Sequence, residues 1–474
     1  MTGIIEETAD NGASSRHKTT IAVLKQKFSD RVHTGMSARE QHGHTTTWIE
    51  NQPPDAVIIP NTTEEVAEIV NICREYKTPV IAFGTGTSLE GHLNAPFGGV
   101  CVDFSNMKKV LSVNTDDLDC TVEAGVTRKE LNTFLRDTGL FFTVDPGADA
   151  SLGGMAATRA SGTNAVRYGT MSDVVINVTA VLADGSIVRT GSRARKTSAG
   201  YDLTHLLIGS EGTLGIITEL TLRLQGIPES ILSAVCSFDT LKGACQTVIE
   251  ATQMGLKPAR IELLDPLQIR ACNAYSNLTL AEKPTLFLEF HGTGKGSREE
   301  AELFAEIAAA NGGGDYEWAQ DLEDRNRLWQ ARHDAYWAAR ALIPGADCCS
   351  GDVCVPISRL TECVEETRLD IENSGIVATI VGHVGDGNFH VLPLFDAKNP
   401  GELEAVQNLF DRMVTRAQSM EGTCTGEHGV GSGKTKYLRA EYGAGVEIMR
   451  SIKQALDPDN ILNPGKIFES SPGA

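Results

Sequence analysis

From residue 62 the apolar positions fall into helical spacing: Val66, Ile69, Val70 and Cys73 follow Thr62-Thr63-Glu64-Glu65. That spacing puts one apolar stripe along a helix, and the Thr-Thr-Glu-Glu run offers a capping box at its start. Pro79 stops the helix, and Val80-Ile81-Ala82-Phe83 reads as a strand. Val100, Val102 and Phe104 alternate as a second strand, ahead of a short apolar stretch at 111–113. Thr127-Arg128-Lys129-Glu130 caps another helix, carrying Leu131, Phe134 and Leu135 and closed by Gly139. Strands are predicted at 174–182, 187–190 and 216–224, with Asp184-Gly185 as a hairpin turn. Past Pro228 longer helices, at 241–254 and 297–310, are separated by strands at 231–238 and 285–291. A last helix lies near 445–455, and residues 1–50 read as an extension with a helical stretch at 19–28.

A chain of 474 residues exceeds one ordinary core, so two or three domains are expected. The later part has an α+β texture. Hydrophobic content of 41% and charged content of 22% are those of a soluble globular protein. No apolar run is long enough to span a bilayer. The acidic, polar start resembles neither a secretory signal nor a transit peptide, which predicts a cytoplasmic protein; peripheral association with a membrane is compatible with this. A net charge of −20 argues against a broad nucleic-acid or anionic-membrane interface. Eleven cysteines are scattered; the densest group, Cys348-Cys349, Cys354 and Cys363, has neither zinc-ribbon nor iron–sulfur spacing, so reduced thiols are expected.

Chemistry concentrates in two segments near the end. Gly382-His383-Val384-Gly385-Asp386-Gly387-Asn388-Phe389-His390 and Gly426-Glu427-His428-Gly429 offer His383, His390 and Glu427 as metal ligands, with His428 beside them. Two imidazoles and a carboxylate suit zinc, manganese or iron(II) with positions left open for a substrate. The Asp-Gly-Asn turn lets the two histidines converge. On these residues alone a hydrolytic metal site remains an open alternative.

Three further stretches are rich in glycine and small hydroxyl residues. Gly84-Thr85-Gly86-Thr87-Ser88-Leu89-Glu90-Gly91-His92 follows a strand and could wrap backbone N–H groups around a diphosphate, although it matches neither a dinucleotide fingerprint nor a Walker loop. The second runs through Pro146-Gly147, Gly153-Gly154, Thr158 and Ser161-Gly162, and the third from Gly209 through Glu211, Gly215, Ile216 and Ile217.

In this order the motifs from about 53 to 224 resemble the FAD-binding domain of the vanillyl-alcohol-oxidase, or para-cresol-methylhydroxylase (PCMH), superfamily. The remainder is similar to the FAD-linked D-2-hydroxyacid dehydrogenases, nearest to their cytochrome-type D-lactate-oxidising members, with the glycolate oxidase catalytic subunit related. The resemblance implies an α+β protein: a PCMH-type FAD-binding domain of two α/β subdomains at 51–228, a substrate or cap domain at 229–425 with an antiparallel sheet flanked by helices, and a segment at 426–474 returning to the FAD domain. It implies that Gly84, Thr85, Gly86, Thr87, Ser88 and Gly91 hold the pyrophosphate. Pro146, Gly147, Gly153, Gly154, Thr158, Ser161 and Gly162 would contact the flavin, ribityl chain or pyrophosphate. Glu211, Gly215, Ile216 and Ile217 would line the adenosine side. Some relatives tether FAD through a histidine that aligns with Thr87 here, so non-covalent FAD is expected, with His92 the nearby residue to watch.

The same resemblance makes His383, His390 and Glu427 the ligands of one divalent metal, His428 the general base and Arg332, in Leu328-Trp329-Gln330-Ala331-Arg332, the substrate-carboxylate clamp. The implied reaction removes the hydroxyl proton of a D-2-hydroxy acid to His428 while hydride passes to flavin N5, giving a 2-oxo acid. Relatives acting on D-2-hydroxyglutarate carry a lysine where this chain has Ser350 and an asparagine where it has Leu392, so D-lactate is the expected substrate. Glycolate or a broader range of D-2-hydroxy acids is the alternative; a subunit that only relays electrons is the alternative of another class. Electrons would leave to an external acceptor: cytochrome c, a quinone or another flavoprotein. A homodimer is compatible with this reading.

Overall fold

The computed structural model describes residues 3–319 and 321–468, with side chains from residue 14 onward. The outer ends of the first and last sequence ranges, 1–2 and 469–474, lie outside the described residues.

The first part of the chain builds two small sheets around one core. Strands Ala56–Ile58, Val100–Asp103 and Val80–Phe83 pair in parallel, and the helix Thr63–Glu75 makes the crossover between the first and the last of these. This helix buries Val66, Ile69, Val70 and Cys73, the stripe expected from its spacing. Its capping box is only half formed. Thr62 accepts from the Glu65 N–H, but the Glu65 carboxylate is taken by the Arg31 guanidinium at 2.6 and 2.8 Å and by the Asn61 N–H. Arg31 lies in the segment read as an extension. That segment is integrated: a helix spans Gly3–Phe28, Val32–His33 adds an antiparallel strand to the sheet, and Leu24, Phe28 and Val32 enter the core.

A five-stranded antiparallel sheet follows, in the order Val110–Asn114, Asp119–Glu123, Ile216–Arg223, Val175–Val181, Ile187–Arg189. Helix Arg128–Leu135 starts at a complete capping box between Thr127 and Glu130. Both sheets share one hydrophobic cluster, and Ile461 and Leu462, from the far end of the chain, belong to it. Val80 donates its N–H to Ile461 at 2.7 Å and anchors that return.

The second unit is an eight-stranded antiparallel sheet centred on Ser230–Ser237, Thr285–Gly292, Arg260–Leu264, Val377–Gly382 and Asn388–Phe395. Its strands are apolar on both faces because helices cover both. Leu286, Leu288 and Phe290 enter one cluster, beneath helices Leu241–Gln253, Gly294–Ala310, Leu360–Ser374 and Pro400–Ser419. Phe287, between them in sequence, enters the other with Trp329 and Ala338, as the period-two alternation of a strand requires. No helix among the described residues is long and apolar enough to cross a membrane.

Candidate active site

A cavity of about 510 Å³ lies between the two units. One wall is backbone and small side chains. Gly84, Thr85, Gly86, Thr87 and Ser88 line it, as do Pro146, Gly147, Gly153, Gly154, Thr158, Ser161, Glu211, Gly215, Ile216 and Ile217. Gly91 and Gly162, expected among the cofactor contacts, do not line it. A Cβ on Gly91 would lie 2.4 Å from the Ser432 hydroxyl, and one on Gly162 would lie 2.5 Å from the Asp145 backbone. At both positions an added side chain would collide with a neighbouring loop.

Two glycines show how the wall is made. Gly84 has no room for a side chain, since its Cβ would sit 2.0 Å from the Ser151 hydroxyl, so the first and second loops are pressed together. Gly86 adopts φ +72°, the left-handed conformation in which successive N–H groups of a turn can face one ligand. Ser88 Oγ is buried without a partner among the described residues. An orphaned hydroxyl in a glycine cradle fits a phosphate oxygen, and the residues present therefore suit FAD.

Glu211 lines the cavity and also ties two loops together. Its carboxylate accepts the N–H groups of Val430 and Gly431 at 2.7 and 2.8 Å, and it sits 3.2 Å from His92 Nε2. It thus binds the loop after His428 to the glycine-rich wall. Burial alone would raise its pKa, but His92 and the two N–H groups outweigh this and lower it. His92 lines the cavity and is engaged by this carboxylate.

The opposite wall carries the ionisable groups. His383 follows strand Val377–Gly382 and His390 lies within Asn388–Phe395; the turn between them closes at Gly387, φ +79°. The two imidazoles meet edge to face, 5.4 Å between centroids. Their Nε2 atoms each lie 3.3 Å from Glu427 Oε1, and the three ligand atoms fall within 4.8 Å of one another. His383 Nδ1 donates to Glu262 Oε1 at 2.8 Å. Two imidazole nitrogens and a carboxylate oxygen at one point, with the far nitrogen of one imidazole oriented by a second carboxylate, is a donor set that fits a divalent ion. Burial opposes charge on His383, yet Glu262 and Glu427 outweigh it and hold its pKa well above the usual value. The site asks for positive charge there.

His428 stacks on His390, 5.1 Å between centroids at 11°. Burial pushes its pKa down to about 4, against the pull of Asp352, so its imidazole is neutral at neutral pH. Arg332 is buried and lines the cavity. One of its nitrogens contacts Glu262 Oε2 at 2.5 Å, and its Nε has no partner among the described residues. Ser350 and Leu392 complete the lining near these groups.

Two carboxylates of this wall were given no role by the sequence reading. Glu262 joins Arg332 to His383 from the middle of strand Arg260–Leu264. The only local clue was a charged residue inside the apolar run Ile261-Glu262-Leu263-Leu264. Asp352 is fully buried; it accepts the N–H groups of Glu427 and His428, each at 3.1 Å, and faces Nδ1 of His390 and His428 at 3.6 and 3.9 Å. Burial would raise its pKa, but His428, Lys434 and His390 drive it far below the carboxylate range.

Residues 54–191 match the family described as FAD binding domain, and residues 227–467 that described as FAD linked oxidases, C-terminal domain. The chain is 51% identical over 470 residues to probable D-lactate dehydrogenase, mitochondrial, of Danio rerio, covering 97% of this chain and 95% of that one. It is 46% identical over 454 residues to D-lactate dehydrogenase (cytochrome), mitochondrial, of Arabidopsis thaliana, covering 95% and 80%. Glycolate oxidase subunit GlcD of Bacillus subtilis is 34% identical over 420 residues, covering 88% and 89%. Among solved structures, 4-ethylphenol oxidase from Gulosibacter chungangensis superposes with a TM-score of 0.77 at 19% identity, over 96% of this chain and 98% of its own. p-Cresol methylhydroxylase does so at 0.77 and 16%, over 96% and 97%. These two likenesses show the PCMH-type fold. The chain belongs to the FAD-linked oxidoreductases of the vanillyl-alcohol-oxidase/PCMH superfamily, in the group that holds the D-lactate dehydrogenases, and the expected α+β class stands. It is an FAD-dependent oxidoreductase.

Proposed function

We propose that this enzyme oxidises D-lactate, a small D-2-hydroxy acid, to pyruvate with FAD and one divalent metal, and passes the electrons to an external acceptor. One observation carries the reading: His428, Arg332 and the His383–His390–Glu427 cluster share a single cavity with the three glycine-rich loops. When bound, FAD supplies the two-electron acceptor and the metal supplies Lewis acidity toward the substrate hydroxyl. His383, His390 and Glu427 are the metal's ligands, and their set suits zinc, manganese or iron(II). His428 takes the hydroxyl proton at Nε2, with Asp352 on its Nδ1 side. Arg332 receives the substrate carboxylate on the edge that Glu262 leaves free. Ser350 and Leu392 offer the substrate's side group no charged partner, which suits a methyl group better than a second carboxylate. FAD is held non-covalently, Thr87 standing where some relatives carry the tethering histidine.

Eleven free thiols suit a reducing compartment, the cytoplasm or the mitochondrial interior that the Danio and Arabidopsis relatives' names indicate. The cytochrome in the Arabidopsis relative's name supports a one-electron haem acceptor, with a quinone or another flavoprotein as the other candidates. The likeness to glycolate oxidase subunit GlcD supports a second reading, a glycolate or broader 2-hydroxyacid dehydrogenase.

Anaerobic reduction of the bound flavin by D- and L-lactate, glycolate and D-2-hydroxyglutarate, with and without chelator, tests both. D-lactate should bleach the flavin fastest, and chelator should stop it. Bleaching by D-2-hydroxyglutarate and not by D-lactate would overturn the substrate assignment.

A further inference from the structure

A second cavity, of about 420 Å³, opens between the two units beside the first. His333 lines both, while its sequence neighbour Arg332 lines the first. Three guanidinium groups face the second cavity: Arg128, Arg260 and Arg325. Two carboxylates face it as well, and both are already matched. Asp145 Oδ2 lies 3.2 Å from Arg260, and Glu289 Oε1 lies 3.6 Å from Arg260 and 2.8 Å from His291 Nε2. Arg260 is held in place over the Trp329 ring, 4.6 Å from its centroid.

Arg128 and Arg325 remain. Among the described residues neither guanidinium pairs with a carboxylate, and Arg128 Nε is buried without any partner. Arg128 stands at the start of helix Arg128–Leu135 in the first unit; Arg325 belongs to helix Leu322–His333 in the second, two turns before Arg332. A buried donor without a partner, here Arg128 Nε, costs stability, and a ligand would satisfy it. Two planar forks across a cleft suit a carboxylate, which each can grip bidentately.

We infer that this cavity is a second anion site: a vestibule in which Arg128 and Arg325 hold the substrate's carboxylate before it reaches Arg332. The inference rests on the 2-hydroxy acid reading above. It explains how a chain of net charge −20 collects an anionic substrate. Arginines along this path offset the repulsive field of the whole chain. The same path serves the 2-oxo acid product, which carries the same charge.

The test is stopped-flow anaerobic reduction of the FAD-loaded, metal-loaded enzyme over a range of D-lactate concentrations. For R128Q/R325Q the half-saturating concentration should rise about 10-fold, as loss of electrostatic capture predicts, with the limiting reduction rate unchanged and a flatter dependence on ionic strength. R128K/R325K, which keeps the charge, should recover most of the loss. K242Q/K398Q, with the same charge change at exposed positions elsewhere, should match the wild type. R325Q alone, a substitution at a half-buried helix position, should show a smaller shift of the same kind and serves if the double variant folds poorly. A wild-type half-saturation in R128Q/R325Q or R325Q overturns the vestibule and leaves the proposed function intact, as does a fall in limiting rate alone. If none of the 2-hydroxy acids bleaches the wild-type flavin, the proposed function falls and the vestibule with it.

Discussion

The two walls of the main cavity are built on opposite principles. The wall from the first unit is glycine, small hydroxyls and backbone, and its residues matter for what they lack. The wall from the second unit is histidine, arginine and carboxylate, each held by a partner of opposite charge. A cofactor that shares one diphosphate shape in every turnover can be gripped by backbone N–H groups. A substrate whose protons must move needs groups that titrate. The comparison also shows where each wall is vulnerable: the first to added volume, the second to lost charge.

His428→Ala should separate the walls most sharply. Flavin reduction by D-lactate should fall by about 10²–10⁴-fold, the usual worth of a general base, while the yellow colour and metal content stay. Loss of FAD in this variant would recast His428 as part of the cradle. Glu262→Gln comes next. It removes the charge that orients His383 and pairs with Arg332, so metal affinity measured by competition with a chelator should drop about 10–100-fold. An unchanged affinity would mean that Glu262 does not orient His383 for the ion.

Gly84→Ala attacks the other wall. The added methyl meets the Ser151 hydroxyl, and overpacking of this kind costs ~1–3 kcal/mol. FAD occupancy by absorbance should fall, with metal content unaltered; full FAD loading would show that the loop yields freely.

The smallest effect lies beneath the charged wall, at Asp265. This buried residue caps helix Pro266–Ser276 through the Gln268 N–H, and burial lifts its pKa from 3.8 to about 7. A raised folded-state pKa means the folded chain binds the extra proton between those values. The stabilisation is therefore full below about pH 4 and is lost as pH rises through about 7. Asp265→Asn keeps an acceptor for the cap and has no charge to bury. Its melting temperature should match the wild type at about pH 4 and exceed it at pH 8. Equal melting temperatures at both would show that Asp265 is solvated in the folded state.

Legibility followed the same division. The helical stripe Val66–Cys73, the capping box at Thr127 and the strands around Ile216 and Thr285 were readable because their signals are local. The failed half of the capping box at Thr62 was not, since Arg31, 34 residues away, outbids the Thr62 N–H for Glu65. Within the site, the motif residues stood out by spacing, and most of them line the cavity. Gly91 and Gly162 looked identical to their cradle-forming neighbours, because sequence does not say whether a missing Cβ makes room for a ligand or for another loop.

The sequence by itself determined the two classes of segment, the order in which they occur and the chemical types they bring: glycine turns early, histidine and carboxylate late. It could do so because turn geometry and ligand chemistry belong to residues close together in the chain. Tertiary structure alone decided which groups neutralise which. Glu262 couples Arg332 to His383, Asp352 backs His390 and His428, Glu211 ties the glycine wall to the loop after His428, and Arg128 and Arg325 are left over. Charge pairing depends on distance in space, and these partners lie tens to hundreds of residues apart.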